Sequence, residues 1–246
     1  MNKLFKFNII YIFMLVILQN PEEVQGADLE IDKNDEKIFT HIYDNQIWQK
    51  GSGTGSYKEY TEEYRKILQE YFYDPKFHTI VDYGCGDFQI MRLIDIPSDK
   101  VYIGLDVVKS VIENDKKLFS KDNVRFYKID DFDKMEDLNL LSGDLLIVKD
   151  VFIHWPNAKI QKFLDTVLPN FKYSLITNDS LKEAFTRDIE LGNFRAIDIT
   201  KEPFNFNKNI RLIKEYSYYS TEYNQDIPKT IYLYTNPAQI QNLLSI

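Results

Sequence analysis

The chain has 246 residues, of which 44% are hydrophobic and 15% aromatic, and its formal net charge is −8. This much apolar material can build a packed core, so disorder is not expected, and the length fits one α/β domain. The acidic charge disfavours attraction to a phosphate backbone, so we expect no nucleic-acid partner. With Cys85 as the only cysteine and three scattered histidines, we also expect no disulfide and no metal site.

The first 26 residues differ from the rest of the chain. Lys3 and Lys6 precede the apolar run NIIYIFMLVIL, which is shorter than the roughly 20 residues that span a bilayer. Val24 and Gly26 place small side chains at positions −3 and −1 of a cleavage site that ends VQG. Residues 1–26 are therefore predicted to be a signal peptide for a secreted, periplasmic or ER-lumenal protein, with no membrane span after cleavage. A membrane anchor and a cytoplasmic location are the alternatives.

Residues 27–75 are predicted to form an N-terminal lid and a helix. The segment HIYDNQIWQKGSGTGSY combines aromatic side chains with a flexible Gly/Ser loop, a composition suited to a lid over a binding site. The segment that follows, Tyr57 to Tyr73, spaces its apolar residues at helical intervals and predicts an amphipathic helix.

Residues 76–246 alternate short strands with helices. Strands are predicted at TIVDYG, VYIGLDV, VRFYKID, DLLIVKDV and YSLITND, and helices at FQIMRLID, KSVIENDKKLFS and NAKIQKFLDTVL, the last capped by Asn157. Two aromatic, β-branched segments, RLIKEYSYYS and KTIYLYTN, follow without a helix between them and predict a closing antiparallel hairpin. The fold class is therefore α/β, with a mostly parallel, seven-stranded sheet and helices on both faces.

The motif VDYGCGDFQI places a two-glycine turn directly after the first strand, and Asp106 follows Gly86 at a distance of about 20 residues. This spacing is typical of a nucleotide site in which an acid binds the ribose hydroxyls. A dinucleotide fingerprint, however, requires glycine where Gln89 stands, and Asp82 and Asp87 would repel a pyrophosphate. A ligand with an ammonium group, a ribose diol and no phosphate fits better, and S-adenosylmethionine is such a ligand.

Four motifs in register, VDYGCGDF, YIGLDVV, VRFYKIDDF and DLLIVKDVFIHW, resemble the successive cofactor motifs of class I S-adenosylmethionine-dependent methyltransferases. The resemblance covers residues 76–236 and implies a Rossmann-like methyltransferase fold with S-adenosyl-L-methionine as cofactor. It implies six cofactor-binding residues, from the methionine end through the ribose to the adenine: Asp82, Gly84, Gly86, Asp106, Asp130 and Asp131. The acidic run around Asp130 and Asp131 is alternatively a solvated loop, and Phe88 stands where the family often has glycine.

Candidate catalytic residues follow the fourth strand, because ligands of such sheets lie beyond the carboxyl ends of the strands. A hydroxyl acceptor needs a base, and His154 has an ordinary pKa near neutrality. We interpret His154 as this base and Asp150 as the residue that holds the acceptor or the imidazole. The alternatives are that His154 packs on Trp155 and that Asp150 pairs with Lys149.

Substrate contacts are predicted from Asn178 and Asp179 at the end of the fifth strand and from Arg195 in the next segment. Arg195 suits an acceptor carboxylate or phosphate, with a salt bridge to Asp198 as the alternative, and Asn-Asp is also common in turns. We expect a methyltransferase for a small-molecule or sugar-like acceptor. An exported, non-catalytic binding protein of the same fold and a nicotinamide-dependent oxidoreductase are the alternatives, and no oligomeric state follows from these patterns.

Overall fold

Four helices and seven strands account for most of the regular structure in the computed structural model, which describes residues 35–130, 132, 138–180, 187–220 and 224–239. The helices are α1 (Asp35–Asp44), α2 (Glu62–Tyr73), α3 (Lys109–Phe119) and α4 (Asn157–Thr166). The strands are β1 (Thr79–Tyr83), β2 (Val101–Asp106), β3 (Val124–Lys128), β4 (Gly143–Lys149), β5 (Phe171–Asp179), β6 (Ile210–Ser220) and β7 (Gln225–Thr235). The predicted signal peptide, residues 1–26, lies outside the described residues, as does Asp131.

The strands form one sheet in the order β3-β2-β1-β4-β5-β7-β6. Strands β1 to β5 pair in parallel, whereas β7 runs antiparallel to β5 and to β6. The β6–β7 pairing has a register irregularity between Leu212 and Lys214. The predicted seven-stranded, mostly parallel sheet with a C-terminal hairpin is thereby confirmed.

The helices cover both faces of the sheet, as predicted, because successive side chains of each strand point to opposite faces. One face packs against α2 and α3 through Leu68 and Ile112. The other packs against α1 and α4 through Ile42 and Phe163. No helix within the described ranges is both long and apolar enough to cross a bilayer.

The prediction of a helix at FQIMRLID is wrong, because this segment contains only a single 3₁₀ turn, Met91–Leu93. Phe88 has a φ of 59° and Ile94 has extended dihedral angles, so the backbone leaves the helical region on both sides of the turn. A run this short cannot repay the cost of nucleating a helix. Phe88, Ile90, Met91 and Ile94 are buried nevertheless, whereas Leu93 is exposed, and this spacing of buried residues resembles that of an amphipathic helix.

Helix α2 begins at Glu62, not at the predicted Tyr57, and two 3₁₀ turns, Thr54–Ser56 and Lys58–Tyr60, precede it. The hydroxyl of Thr61 donates a hydrogen bond to the carbonyl oxygen of Tyr57 at 3.0 Å. Such local side-chain bonds compete with helical hydrogen bonding, which fits the later start of the helix.

Asn157 does not cap α4 as predicted but is its first helical residue, after Pro156. Its backbone N–H donates to Asp188 Oδ1 at 2.7 Å, so a carboxylate from a distant segment supplies the cap. The side chain of Asn157 is engaged elsewhere, because its Oδ1 accepts a hydrogen bond from Arg195 at 2.7 Å.

Candidate active site

A cavity of about 130 Å³ lies at the edge of the sheet where β1, β2 and β4 end. Its walls come from the glycine turn after β1, the end of β2, the segment after β4 and residues 43–56, which we call the lid segment. Six predicted site residues line this cavity together: Asp82, Gly84, Gly86, Asp106, Asp150 and His154. The location is the one expected for ligands of parallel sheets.

The glycine turn is held against β2 and closely approached from two sides. The N–H groups of Gly84 and Cys85 donate to the carbonyl oxygen of Leu105 at 2.8 and 3.0 Å. A Cβ on Gly84 would lie 2.5 Å from Val151 Cγ2, and one on Gly86 would lie 2.1 Å from Ser52 Oγ. Both glycines also have positive φ angles, 73° and 57°, so neither position accepts a side chain without strain.

Asp106 is fixed at the end of β2 beside this turn. Its Oδ2 accepts the N–H of Gly86 at 3.1 Å, and its Oδ1 accepts the N–H of Val108 at 2.9 Å. Burial raises the pKa of Asp106, and the backbone hydrogen bonds oppose that shift. Each carboxylate oxygen can accept more than one hydrogen bond, so both can still accept a ligand hydroxyl.

Asp82, at the opposite side of the turn, is buried and accepts a hydrogen bond from Tyr102 Oη at 2.7 Å. Burial raises the pKa of Asp82 to about 7, although the Tyr102 hydrogen bond and the charge of Lys149 act in the other direction. A cation in the cavity would favour the ionised form of this carboxyl group.

The predicted adenine contacts are only partly placed by the structure. Asp130 is exposed and pairs with Lys128 at 2.7 Å, so it is not among the residues that line the cavity. Its neighbour Ile129 does line the cavity, together with Val107 after β2. The wall here is therefore apolar.

Asp150 is held in an unusual backbone conformation directly after β4. Its φ is 56°, and its N–H donates to the carbonyl oxygen of Thr177 at 2.8 Å. Its Oδ2 accepts hydrogen bonds from Lys149 and, at 2.6 Å, from Lys229. Burial acts to raise the pKa of Asp150, but the two ammonium groups outweigh it and lower that pKa to about 2. Asp150 is therefore ionised, and its predicted alternative partner Lys149 is indeed bound to it.

His154 lies in the cavity wall as a neutral ring. Its Nδ1 is 3.0 Å from the carbonyl oxygen of Asn193, and because a carbonyl oxygen only accepts, Nδ1 carries the proton. Burial lowers the pKa of His154 to about 4. The ring stacks on Trp48 of the lid segment, with centroids 4.4 Å apart, instead of on Trp155 as the packing alternative proposed. The Nε2 of this tautomer bears a lone pair that can accept a hydrogen bond.

Asn178 and Asp179 are not among the residues that line the cavity. Asn178 is buried within the sheet. Asp179 Oδ1 lies 2.5 Å from the ammonium group of Lys229, which in turn bonds Asp150. Asp179 is thus connected to the cavity through a lysine that sequence reasoning did not single out.

The position of Arg195 corrects both of its predicted roles. Arg195 is buried outside the cavity wall and donates to the carbonyl oxygen of Trp155 and to Asn157 Oδ1, each at 2.7 Å. Asp198, the alternative partner, instead accepts a hydrogen bond from the hydroxyl of Thr200 at 2.7 Å. Arg195 therefore ties its own segment to the start of α4.

The lid segment contacts both sides of the cavity. The hydroxyl of Ser52 donates to Asp87 Oδ1 at 2.7 Å and accepts from the Asp87 N–H at 3.0 Å. Tyr43 Oη lies 2.8 Å from the same hydroxyl. On the other side, Gly55 O accepts a hydrogen bond from Lys149 at 3.2 Å. The sequence indicated a lid here by composition, but these individual partners carried no recognisable motif.

The cavity wall offers no obvious metal or thiolate chemistry. In the described ranges no group of three or more His, Cys, Asp or Glu residues could hold a metal ion. Burial raises the pKa of the Cys85 thiol, which keeps it protonated. The polar chemistry of the site therefore comes from carboxylates, lysines and one imidazole.

No protein-family model matches the sequence, and a search of curated proteins finds no match. Several solved structures are similar. Magnesium protoporphyrin IX methyltransferase (ChlM) from Synechocystis PCC 6803 with bound SAM is 12% identical, with a TM-score of 0.52, over 86% of this chain and 100% of that chain. The DhpI–SAH complex is 12% identical, with a TM-score of 0.51, over 82% of this chain and 96% of that chain. A structure described for the conversion of a disulfide bond into a thioacetal group during echinomycin biosynthesis is 14% identical, with a TM-score of 0.56, over 85% and 97%. The chain therefore has the fold of class I S-adenosylmethionine-dependent methyltransferases, as predicted.

Proposed function

We propose that this protein is an S-adenosylmethionine-dependent methyltransferase for a small-molecule or sugar-like acceptor. One observation carries the proposal: the acid-flanked glycine turn and the polar groups after β4 line the same cavity. S-adenosylmethionine would supply an electrophilic methyl group there. The SAM and SAH complexes among the similar structures support this assignment of the cofactor.

The cavity residues fit such a cofactor in four places. Asp106 retains acceptor capacity for the two ribose hydroxyls. The buried carboxyl group of Asp82 suits the ammonium group of the methionine portion. Val107 and Ile129 form an apolar wall for the adenine ring. Gly84 and Gly86 leave the backbone open to close approach.

The nicotinamide alternative fits less well. Asp82 and Asp87 flank the turn that would have to bind a pyrophosphate, and both are anions when ionised. The dinucleotide-binding sheet has the all-parallel order 3-2-1-4-5-6. Here an antiparallel β7 lies between β5 and β6.

Where the methyl-accepting substrate would bind, this chain contributes groups that accept hydrogen bonds, and it contributes no strong base among the described residues that line the cavity. Asp150 is ionised by its lysine partners, and His154 is neutral, with its proton on Nδ1 and a lone pair on Nε2. A hydroxyl that is being methylated becomes strongly acidic, so a weak base in the right place is sufficient to take its proton. Alignment of the acceptor is then the main source of rate, with about 7–11 kcal/mol available from positioning.

The lid segment must move for this function. Pockets for ligands of this size occupy about 300–1,000 Å³, whereas the closed cavity measures about 130 Å³. The lid segment packs against the glycine turn through Ser52 and against His154 through Trp48. We therefore expect it to open for exchange of the cofactor and to close over it, which also excludes water.

Calorimetry on the chain lacking residues 1–26 tests the cofactor. We expect S-adenosylhomocysteine to bind and NAD to give no heat. Asp106→Ala should weaken the binding of S-adenosylhomocysteine by about 1.5–3 kcal/mol, the range for hydrogen bonds to a charged group. Asp99→Ala, a control at an exposed carboxylate, should leave it unchanged. Binding of NAD alone, or an unchanged affinity in a folded Asp106→Ala variant, would overturn the assignment.

A transfer assay separates the enzyme from a non-catalytic binding protein of the same fold. Tritium from the labelled methyl group should appear in an added acceptor, and one S-adenosylhomocysteine should form per methyl transferred. Cofactor binding without any transfer to a broad panel of acceptors would favour the binding protein.

A further inference from the structure

Four charged side chains meet at the ends of β4 and β5; Lys229 is buried, and the other three are at most 16% exposed. We call them the charge cluster: Lys149, Asp150, Asp179 and Lys229. The ammonium group of Lys229 lies 2.6 Å from Asp150 Oδ2 and 2.5 Å from Asp179 Oδ1. The β5–β7 register places Lys229 directly opposite Asp179, and Lys149 also donates to Asp150 Oδ2. The cluster thus joins three strands of the sheet.

Fold stability alone gives a weak reason for this arrangement. Removing four charges from water carries a large desolvation penalty, and apolar side chains of similar volume usually stabilise a core as well or better. Asp150 additionally adopts a positive φ of 56°, a conformation that persists only where the surroundings enforce it. Charged groups perturbed by their surroundings and placed in a cleft are candidates for a functional site.

The charge cluster borders the cavity. Lys149 and Asp150 line it, and Gly55 of the lid segment lies above the cluster. A Cβ on Gly55 would lie 3.4 Å from Asp150 Oδ2, 3.6 Å from Lys229 Nζ and 3.7 Å from Tyr218 Oη. Tyr60 stacks on Tyr218 with ring centroids 4.6 Å apart, which places aromatic surface beside the charges.

Two carboxylate oxygens of the cluster, Asp150 Oδ1 and Asp179 Oδ1, have no hydrogen-bond partner among the described residues, but Asp179 Oδ1 lies 2.5 Å from the ammonium group of Lys229. Asp150 Oδ1 is buried and accepts no hydrogen bond within the described part of the chain, since both lysines bind Oδ2. A carboxylate oxygen only accepts hydrogen bonds. The group that would satisfy it must therefore donate one, as a hydroxyl or an amino group does. A carboxylate ligand would instead place a further anion beside this oxygen.

We propose that the charge cluster is the methyl-acceptor subsite, in which Asp150 Oδ1 accepts a hydrogen bond from an acceptor hydroxyl or amino group. Lys229 is the positioning residue that fixes Asp150, and the substrate class is alcohols, phenols and amines instead of carboxylates. This inference rests on the proposed methyltransferase function and specifies the acceptor of that same site.

Matched probes test the substrate class. Benzyl alcohol, phenol, benzylamine and benzoate are added separately to the complex with S-adenosylhomocysteine for calorimetry, and to the protein with tritiated S-adenosylmethionine for transfer. At least one hydroxyl or amine probe should bind and accept the methyl group at least tenfold better than benzoate. A preference for benzoate, or no binding of any hydroxyl or amine probe, overturns the proposal. Loss of S-adenosylhomocysteine binding itself would refute the cofactor assignment instead.

Lys229→Met tests the positioning role. With the best probe we expect kcat/KM to fall at least thirtyfold while affinity for S-adenosylhomocysteine stays within about threefold. Lys172→Met is the matched control, because Lys172 pairs with Asp144 at 2.7 Å elsewhere in the same sheet, and it should leave both quantities unchanged. A purely structural brace predicts a lower Tm with unchanged kinetics, which would refute the role of Lys229.

Gly55→Ala provides a second test should Lys229→Met fail to fold. The added methyl group meets the cluster at ordinary contact distances, 3.4 Å or more, so the fold should tolerate it. It narrows the space above Asp150 and should raise KM for the probe severalfold without changing affinity for S-adenosylhomocysteine. An unchanged KM would show that the acceptor does not occupy this place.

Discussion

Ser52→Ala should loosen the lid segment and accelerate exchange of the cofactor. The hydroxyl of Ser52 takes part in three hydrogen bonds, to Asp87 Oδ1 at 2.7 Å, to the Asp87 N–H at 3.0 Å and to Tyr43 Oη at 2.8 Å. Each such bond contributes about 0.5–1.5 kcal/mol, and more where a carboxylate accepts. Because water can replace part of this hydrogen bonding at a half-buried site, we expect the substitution to destabilise the closed position of the lid segment by roughly 1.5–3 kcal/mol. That is about a ten- to hundredfold shift toward opening.

Stopped-flow fluorescence measures this shift directly, because Trp48 of the lid segment stacks on His154 with ring centroids 4.4 Å apart. The association and dissociation rates of S-adenosylhomocysteine should rise together in Ser52→Ala, and the dissociation constant should change less than either rate. Ser56→Ala is the matched control, since this hydroxyl donates to the carbonyl oxygen of Ser52 at 3.3 Å within the same segment. Equal rates in Ser52→Ala and the unaltered protein would refute the lid mechanism.

Three further predictions concern His154, Asp115 and the predicted signal peptide. His154→Ala should lower turnover about 10²-fold or more if the imidazole accepts the acceptor proton, with S-adenosylhomocysteine affinity within about threefold; intact turnover with a lowered Tm would leave the ring as a packing partner of Trp48. Asp115 is fully buried and burial raises its pKa to about 8, so the folded protein holds a proton that the unfolded chain releases. Its contribution to stability therefore falls as the pH rises from about 4 to 8, by at most about 1.4 kcal/mol per pH unit. Asp115→Asn should flatten this slope in urea titrations at several pH values, and identical slopes would contradict the assignment. If the predicted signal peptide is cleaved, N-terminal sequencing of the protein isolated from its own cell should give Ala27 as the first residue, whereas an intact Met1 would rule the cleavage out.

The strands were predictable because each combines a β-branched run with a glycine or polar boundary, a local signal. The wrongly predicted helix after β1, at FQIMRLID, shows that local sequence patterns do not determine every element. Phe88 adopts a positive φ of 59° at a position where glycine would be relaxed. Tertiary contacts of its ring offset this backbone strain: the ring centroid lies 4.9 Å from that of Phe126 and 5.1 Å from that of Phe119. These contacts come from β3 and α3, so no window around Phe88 could reveal them.

The candidate site likewise contains residues that local motifs predict and residues that only tertiary structure brings there. Asp82, Gly84, Gly86 and Asp106 could be placed from the sequence because the chain order of the motifs follows the order of neighbouring strands. Lys229 could not, since a lysine in an alternating strand is normally taken to face solvent. Its partner Asp179 is far away in the sequence, and only the antiparallel register of β5 and β7 brings the two together.

The outermost position of β6 affects how the protein behaves at high concentration. An edge strand offers unpaired backbone groups to other chains, and Leu212 and Tyr219 of β6 are about half exposed, at 47% and 51%. The register irregularity between Leu212 and Lys214, together with exposed Lys214 and Glu215, gives this edge two of the devices that oppose intermolecular pairing. We therefore expect resistance to aggregation to depend in part on these two exposed charges, and replacing Lys214 and Glu215 with apolar residues should promote fibrillar self-association.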